Sequence, residues 1–139
     1  MYGATAVAGF IISRALAVRR HPDLISERAR SMEHEDTKSW DKILAPAAVL
    51  GGVLLPIVAG IDARFTWPPR FGGTVRAASL VAFLAGYVLS SYALVTNRFF
   101  SGVVRIQHDR GHHVVTGGPY RWVRHPGYAG ALLAYVATP

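Results

Sequence analysis

The chain has 139 residues, one domain's worth, and 51% of them are hydrophobic, a high share for a small water-soluble globule. Its formal charge of +7 sits between apolar runs rather than on one basic face with interleaved aromatics, so nucleic acid is not an expected partner. Cysteine is absent, which excludes disulfides, thiolate metal sites and a cysteine nucleophile.

The first apolar run goes from Met1 to Ser13, is broken by Arg14, and continues through Ala15 and Val18 toward Arg19 and Arg20. A cleaved leader would carry its charges ahead of the apolar run, not behind it. The reading is a membrane span over about residues 2–18, with Gly3 and Gly9 as small packing positions and Arg14 reaching back to the headgroups. Residues 19–42 hold six Lys or Arg and six Asp or Glu. Such a balanced stretch predicts a solvated connector containing a short surface helix near Pro22-Asp23, with Asp23 in the favourable first turn. No chemistry is assigned to it.

The second helix is expected over about 43–61, nineteen residues without a charge, close to the ~20 that cross a bilayer core. Pro56 inside it predicts a kink, and Ala47, Gly51, Gly52 and Gly60 predict close helix contact. Trp67-Pro68-Pro69 suits the headgroup zone. The third helix, about 77–97, is another uncharged run, with Gly86, Tyr87, Ser90, Ser91 and Tyr92 expected to serve interhelical packing. Lys and Arg number seven from Arg14 to Lys42, three from Asp62 to Arg76 and five from Arg98 to Arg124. The positive-inside rule therefore places the first and third connections in the cytoplasm and the N-terminus outside.

The loop of about 103–126 is polar and patterned. Val103–Gln107 and His112–Thr116 read as extended, separated by a turn at His108–Gly111. Gly117, Gly118 and Pro119 mark a second turn. Pro126 then has the character of a first helical residue, with His125 at the cap, because its missing N–H would have no intrahelical partner there. The free amides and dipole of such a helix N-terminus favour a carboxylate or phosphate. Only thirteen residues follow Pro126, too few to span, so either the chain ends in a half-inserted helix, which is physically awkward, or it is a fragment of something longer. The architecture predicted is all-α: a multi-pass transmembrane helical bundle of three spans plus the start of a fourth (126–139), with a cytoplasmic loop, residues 1–139 forming one integral-membrane domain.

Tyr120, Trp122, His125 and Tyr128 lie close to Arg121 and Arg124. Together they are able to stack on a flat base, bind a carboxylate and hold a sulfonium against a ring. An interfacial belt of aromatics and arginines on lipid phosphate explains the same residues. On physics alone both readings stand. The local sequence tips the balance: His112-His113-Val114-Val115-Thr116-Gly117-Gly118-Pro119-Tyr120 followed by Arg124-His125-Pro126-Gly127-Tyr128-Ala129-Gly130 closely resembles the motif of the isoprenylcysteine carboxyl methyltransferase and phospholipid methyltransferase superfamily.

That resemblance implies a membrane methyltransferase using S-adenosyl-L-methionine near the cytoplasmic surface, with a lipophilic or lipidated acceptor arriving from the bilayer. It implies cofactor contacts at His112, His113, Val114, Val115, Tyr120, His125, Pro126, Gly127 and Tyr128, with Gln107 a weaker match. It implies no metal and singles out no catalytic base, and the acceptor group is left open among carboxylate, amine and thiol. Relatives continue into a further hydrophobic segment and a Glu-rich stretch that this sequence does not contain. From Arg98 onward the sole acid is Asp109 against five arginines, a poor setting for a cationic cofactor. Alternatives are a metal site at His108, His112 and His113, a sterol-reductase-like NADPH enzyme, and a non-catalytic membrane assembly protein or inactive fragment.

Overall fold

The computed structural model describes residues 2–30, 38–65, 71–103 and 107–137. Among these residues it is all-helical, without a strand: α1 (Tyr2–Arg20), α2 (Asp23–Ala29), α3 (Asp41–Phe65), α4 (Gly73–Thr96) and α5 (Pro126–Val136), with 3-10 turns at His108–Arg110 and Gly118–Arg121. The His112–Thr116 segment, expected as extended, is irregular and pairs with no strand, while 104–106 of the other expected segment and Trp67-Pro68-Pro69 lie outside the described residues.

α3 runs unbroken through positions 46 and 56, with Asp41 in its first turn and Arg64 in its last, the charge placement that suits the helix dipole. Its large aliphatic side chains are open to the surroundings, among them Ile43, Val49, Val53 and Ile57. A water-soluble protein does not display an apolar surface of this extent without a partner. Asp41–Asp62 of α3 and Gly73–Thr96 of α4 are each long and apolar enough to cross a bilayer. Together they point to an integral membrane protein. α1, expected as another span, is not one of those two; Arg14 interrupts it, its guanidinium folded 4.8 Å over the ring of Phe10.

α5 lies antiparallel against α4. A Cβ on Gly130 would sit 2.5 Å from the Gly86 carbonyl oxygen and 2.6 Å from the Ser90 nitrogen, so the two backbones touch where neither residue has a side chain. Gly9 similarly lets α1 approach the Tyr87 ring of α4. Gly51 and Gly60, expected to mediate helix contact, instead face open space. The compact core is small and lies at one end, where Ala17, Leu24 and Leu94 meet with Val95 and Phe100 packed on them. It joins the end of α1, α2 through Leu24 and the last turn of α4, and the candidate loop hangs from it.

Candidate functional site

The loop begins at Asn97, which ends α4 and ties three things together. Its backbone N–H donates to Ala93 O at 3.1 Å, and its Oδ1 accepts from the Phe99 N–H at 2.9 Å. Its Nδ2 donates to the Tyr120 hydroxyl at 3.1 Å, and that hydroxyl donates in turn to Ala93 O at 3.4 Å. Burial pushes the Tyr120 phenol above its ordinary pKa, with the Asn97 bond acting the other way, so it stays a neutral donor. Gly118 makes the turn possible: its φ is +56°, and its backbone passes so close to Thr96 that a Cβ would be 3.0 Å from that side chain.

Phe99, only 5% exposed, is the platform of the next stretch. The His112 ring stacks on it at 4.8 Å and 24°, the His113 ring meets its edge at 4.9 Å, and the Arg98 and Arg110 guanidinium groups lie 5.3 and 5.9 Å from its centre. Gln107 is 1% exposed. Its Nε2 donates to Phe99 O at 2.8 Å, and its Oε1 accepts from Arg110. Its backbone N–H donates to His112 Nδ1 at 3.2 Å, so a neutral His112 carries its proton on Nε2.

Helix α2 grips the same loop from outside it. Arg28 Nη1 donates to Phe100 O at 3.0 Å and its guanidinium lies 5.5 Å over the Phe100 ring. Burial pushes the Arg28 guanidinium down to about 10, with Arg14 adding to the shift, which leaves it cationic at neutral pH. His21 Nε2 is 3.1 Å from Val95 O. The Asp23 carboxylate pairs with Arg110, and that hydrogen bond holds it below the usual carboxylate range.

At the loop's far end α5 begins at Pro126, and its first helical bond runs from the Ala129 N–H to His125 O at 3.0 Å. His125 gives the helix no side-chain cap. Pro126 and Gly127 are buried; a Cβ on Gly127 would lie 2.6 Å from the Phe100 ring. The His125 and Tyr128 rings stand outside, 5.8 Å apart, with Tyr128 71% exposed.

The residues picked out from sequence thus divide. Gln107, Tyr120, Pro126 and Gly127 face inward and hold the loop's shape; His112, His113, Val114, His125 and Tyr128 face outward, with Val115 half-buried. Tyr120 turns its hydroxyl into the fold, so it does not converge with His125 and Tyr128 on one closed hollow. No group of three or more metal-ligating side chains gathers among the described residues. An apolar groove of about 440 Å³ lies elsewhere, between Arg28, Gly102 and the Ala45–Val53 face of α3. Sequence reasoning missed Asn97, Phe99, Asp23 and Arg28. Asn97 had a signal, a capping-type residue closing an apolar run; the others act through partners far away in sequence.

Residues 78–139, which comprise most of α4, the loop and α5, match the isoprenylcysteine carboxyl methyltransferase family. It is this family that the segment resembles. The chain is 42% identical over 65 residues to a probable protein-S-isoprenylcysteine O-methyltransferase of Oryza sativa subsp. indica, covering 46% of this chain and 34% of that protein. It is 33% identical over 73 residues to protein-S-isoprenylcysteine O-methyltransferase A of Arabidopsis thaliana, covering 52% of this chain and 34% of that one. The chain therefore spans about a third of the length of these relatives. No solved structure matches it.

Proposed function

We propose that this protein takes part in S-adenosylmethionine-dependent methyl transfer to a lipophilic acceptor at the cytoplasmic face of a membrane, as one part of a multi-pass bundle in which α1 is a further span. The observation that carries the reading is that the family match falls on the one segment whose outward imidazoles and helix N-terminus are fixed from behind by Phe99, Gln107 and Phe100. The relatives' names point to a prenylated cysteine carboxylate on a protein as the acceptor.

The residues present fit such a cofactor by their donor chemistry. The N-terminal amides of α5, with the exposed His125 and Tyr128 beside them, suit a carboxylate. The exposed face of His112 and the Val114–Val115 backbone suit a purine edge. S-adenosylmethionine, when bound, supplies a methyl group already activated by its sulfonium. What this chain adds is placement: binding, orienting and excluding water, the terms that dominate an in-line displacement. A carboxylate acceptor needs no base, so none is assigned.

The test is thermal protection of the purified chain. Saturating S-adenosylmethionine is expected to raise Tm, as any ligand of the native state does. His125→Ala and Tyr128→Phe are expected to remove that rise without changing helix content. Protection by NADPH in its place, or by neither, rejects the reading.

A further inference from the structure

The connector between the first two long helices has no role in the motif and lies outside residues 78–139. Yet α2 reaches the loop at two points. Arg28 holds the Phe100 carbonyl, next to the Phe99 platform. Asp23 holds Arg110, and Arg110 in the same posture donates to the buried Gln107 Oε1 and lies over the Phe99 ring. Gln107 completes the chain by presenting its backbone N–H to His112 Nδ1. Leu24, fully buried in the core between these contacts, fixes the helix that carries both residues. Arg110 itself is 11% exposed, so its direction is set by these partners rather than by solvent.

We propose that α2 is the positioning element of this loop, with Asp23 acting through Arg110 and Gln107 to set the orientation of the His112 ring and thereby the affinity for the cofactor. The pairing also answers the loop's shortage of acid: Asp23 brings a carboxylate from 87 residues away to pair with Arg110. Asp23 is a positioning residue, since it touches neither the outward imidazole nor the α5 terminus. The cofactor half of the inference rests on the methyltransferase reading; the orientation half does not.

The experiment uses the full chain in lipid nanodiscs with isotopically labelled histidine. The His112 ring resonances, displaced by the ring current of Phe99, report its stacking directly. Asp23→Asn is expected to move them toward solvent-exposed values and to weaken S-adenosylmethionine binding about two- to fivefold, the range that one partly exposed ion pair supports. Asp23→Glu, which keeps a carboxylate for Arg110, is expected to restore both. His112 resonances that stay in place in Asp23→Asn overturn the proposal whatever happens to binding. Resonances that move in a chain that never binds S-adenosylmethionine support the positioning role and reject the methyltransferase reading separately. Should Asp23→Asn lower Tm broadly, the conservative Arg110→Lys, which keeps the charge but not the fork that serves Asp23 and Gln107 together, provides the second reading of the His112 signal; an unmoved signal there overturns the proposal as well.

Discussion

The contact between α4 and α5 sets where the α5 N-terminus points, and one methyl group tests it. In Gly130→Ala the new Cβ would stand 2.5 Å from Gly86 O and 2.6 Å from Ser90 N, both backbone atoms of a helix and unable to rotate away. Reaching the 3.4 Å of ordinary contact requires the helices to part by about 0.9 Å. A gap of that size forfeits a quarter to a half of each van der Waals well along the seam. Overpacking of this kind costs about 3 kcal/mol, offset by about 1 kcal/mol of gained helix propensity, for a net loss of about 2 kcal/mol. Gly60→Ala is the matched control, since nothing lies within 4 Å of its Cβ and only the propensity gain applies. Thermal unfolding in one detergent, followed by far-UV circular dichroism, is expected to separate the two variants by about 3 kcal/mol in opposite directions from wild type. Equal stability of Gly130→Ala and Gly60→Ala would refute the packing described here.

Asn97→Ala is expected to cost about 2–3 kcal/mol, because the Phe99 N–H and the Tyr120 hydroxyl both lose a partner, whereas Tyr120→Phe costs about 1 kcal/mol; chemical denaturation ranks them. The Asp23 carboxyl is lowered in the fold by its bond from Arg110, so its stabilisation is fully present above the ordinary carboxylate value of about 4 and is lost as pH falls through the lower folded value. The Tm gap between wild type and Asp23→Asn is accordingly expected to be open at neutral pH, worth at most about 1 kcal/mol, and to close in acid. Phe99→Leu removes the ring under His112, His113, Arg98 and Arg110; stability is expected to fall by about 1–2 kcal/mol, and S-adenosylmethionine protection to fall by a larger proportion than stability.

What the sequence reveals is the part governed by local rules. Pro126 announces the first turn of α5, and the uncharged runs of 43–61 and 77–97 coincide with α3 and α4, except that Asn97 caps α4 from outside. The observed helices extend past those runs to Asp41 and Arg64 in one case and to Gly73 in the other, because charged and small residues at the ends of a helix cost nothing where the apolar medium stops. Glycines 86 and 130 are visible as small residues, but that each is the other's partner depends on how two helices cross. The same holds for Asp23 and Arg110: an acid in a balanced connector looks solvated until the core formed by Ala17, Leu24 and Leu94 brings α2 against the loop. That His112–Thr116 joins no strand has a related reason. β-branched residues favour a strand only when another strand is there to pair with, and here the segment is held by ring stacking and by Gln107 instead.

The arginines of the loop, taken from sequence, argue against a site for a cation. The structure holds part of that charge in place. Arg98 and Arg110 lie against the face of Phe99, Arg121 lies 5.0 Å over Trp122, and Arg110 is further matched by Asp23. Each guanidinium so placed is attracted to a ring quadrupole or a carboxylate, so its position is fixed and its field partly cancelled close by. At the start of α5, amide donors and the exposed His125 and Tyr128 stand together, at the positive end of the helix dipole. Under the proposed function a zwitterionic cofactor would then have one defined orientation, carboxylate toward α5 and sulfonium away from it. The loop's many cations therefore select the pose of such a ligand rather than exclude it, provided that Phe99, Trp122 and Asp23 keep them in place.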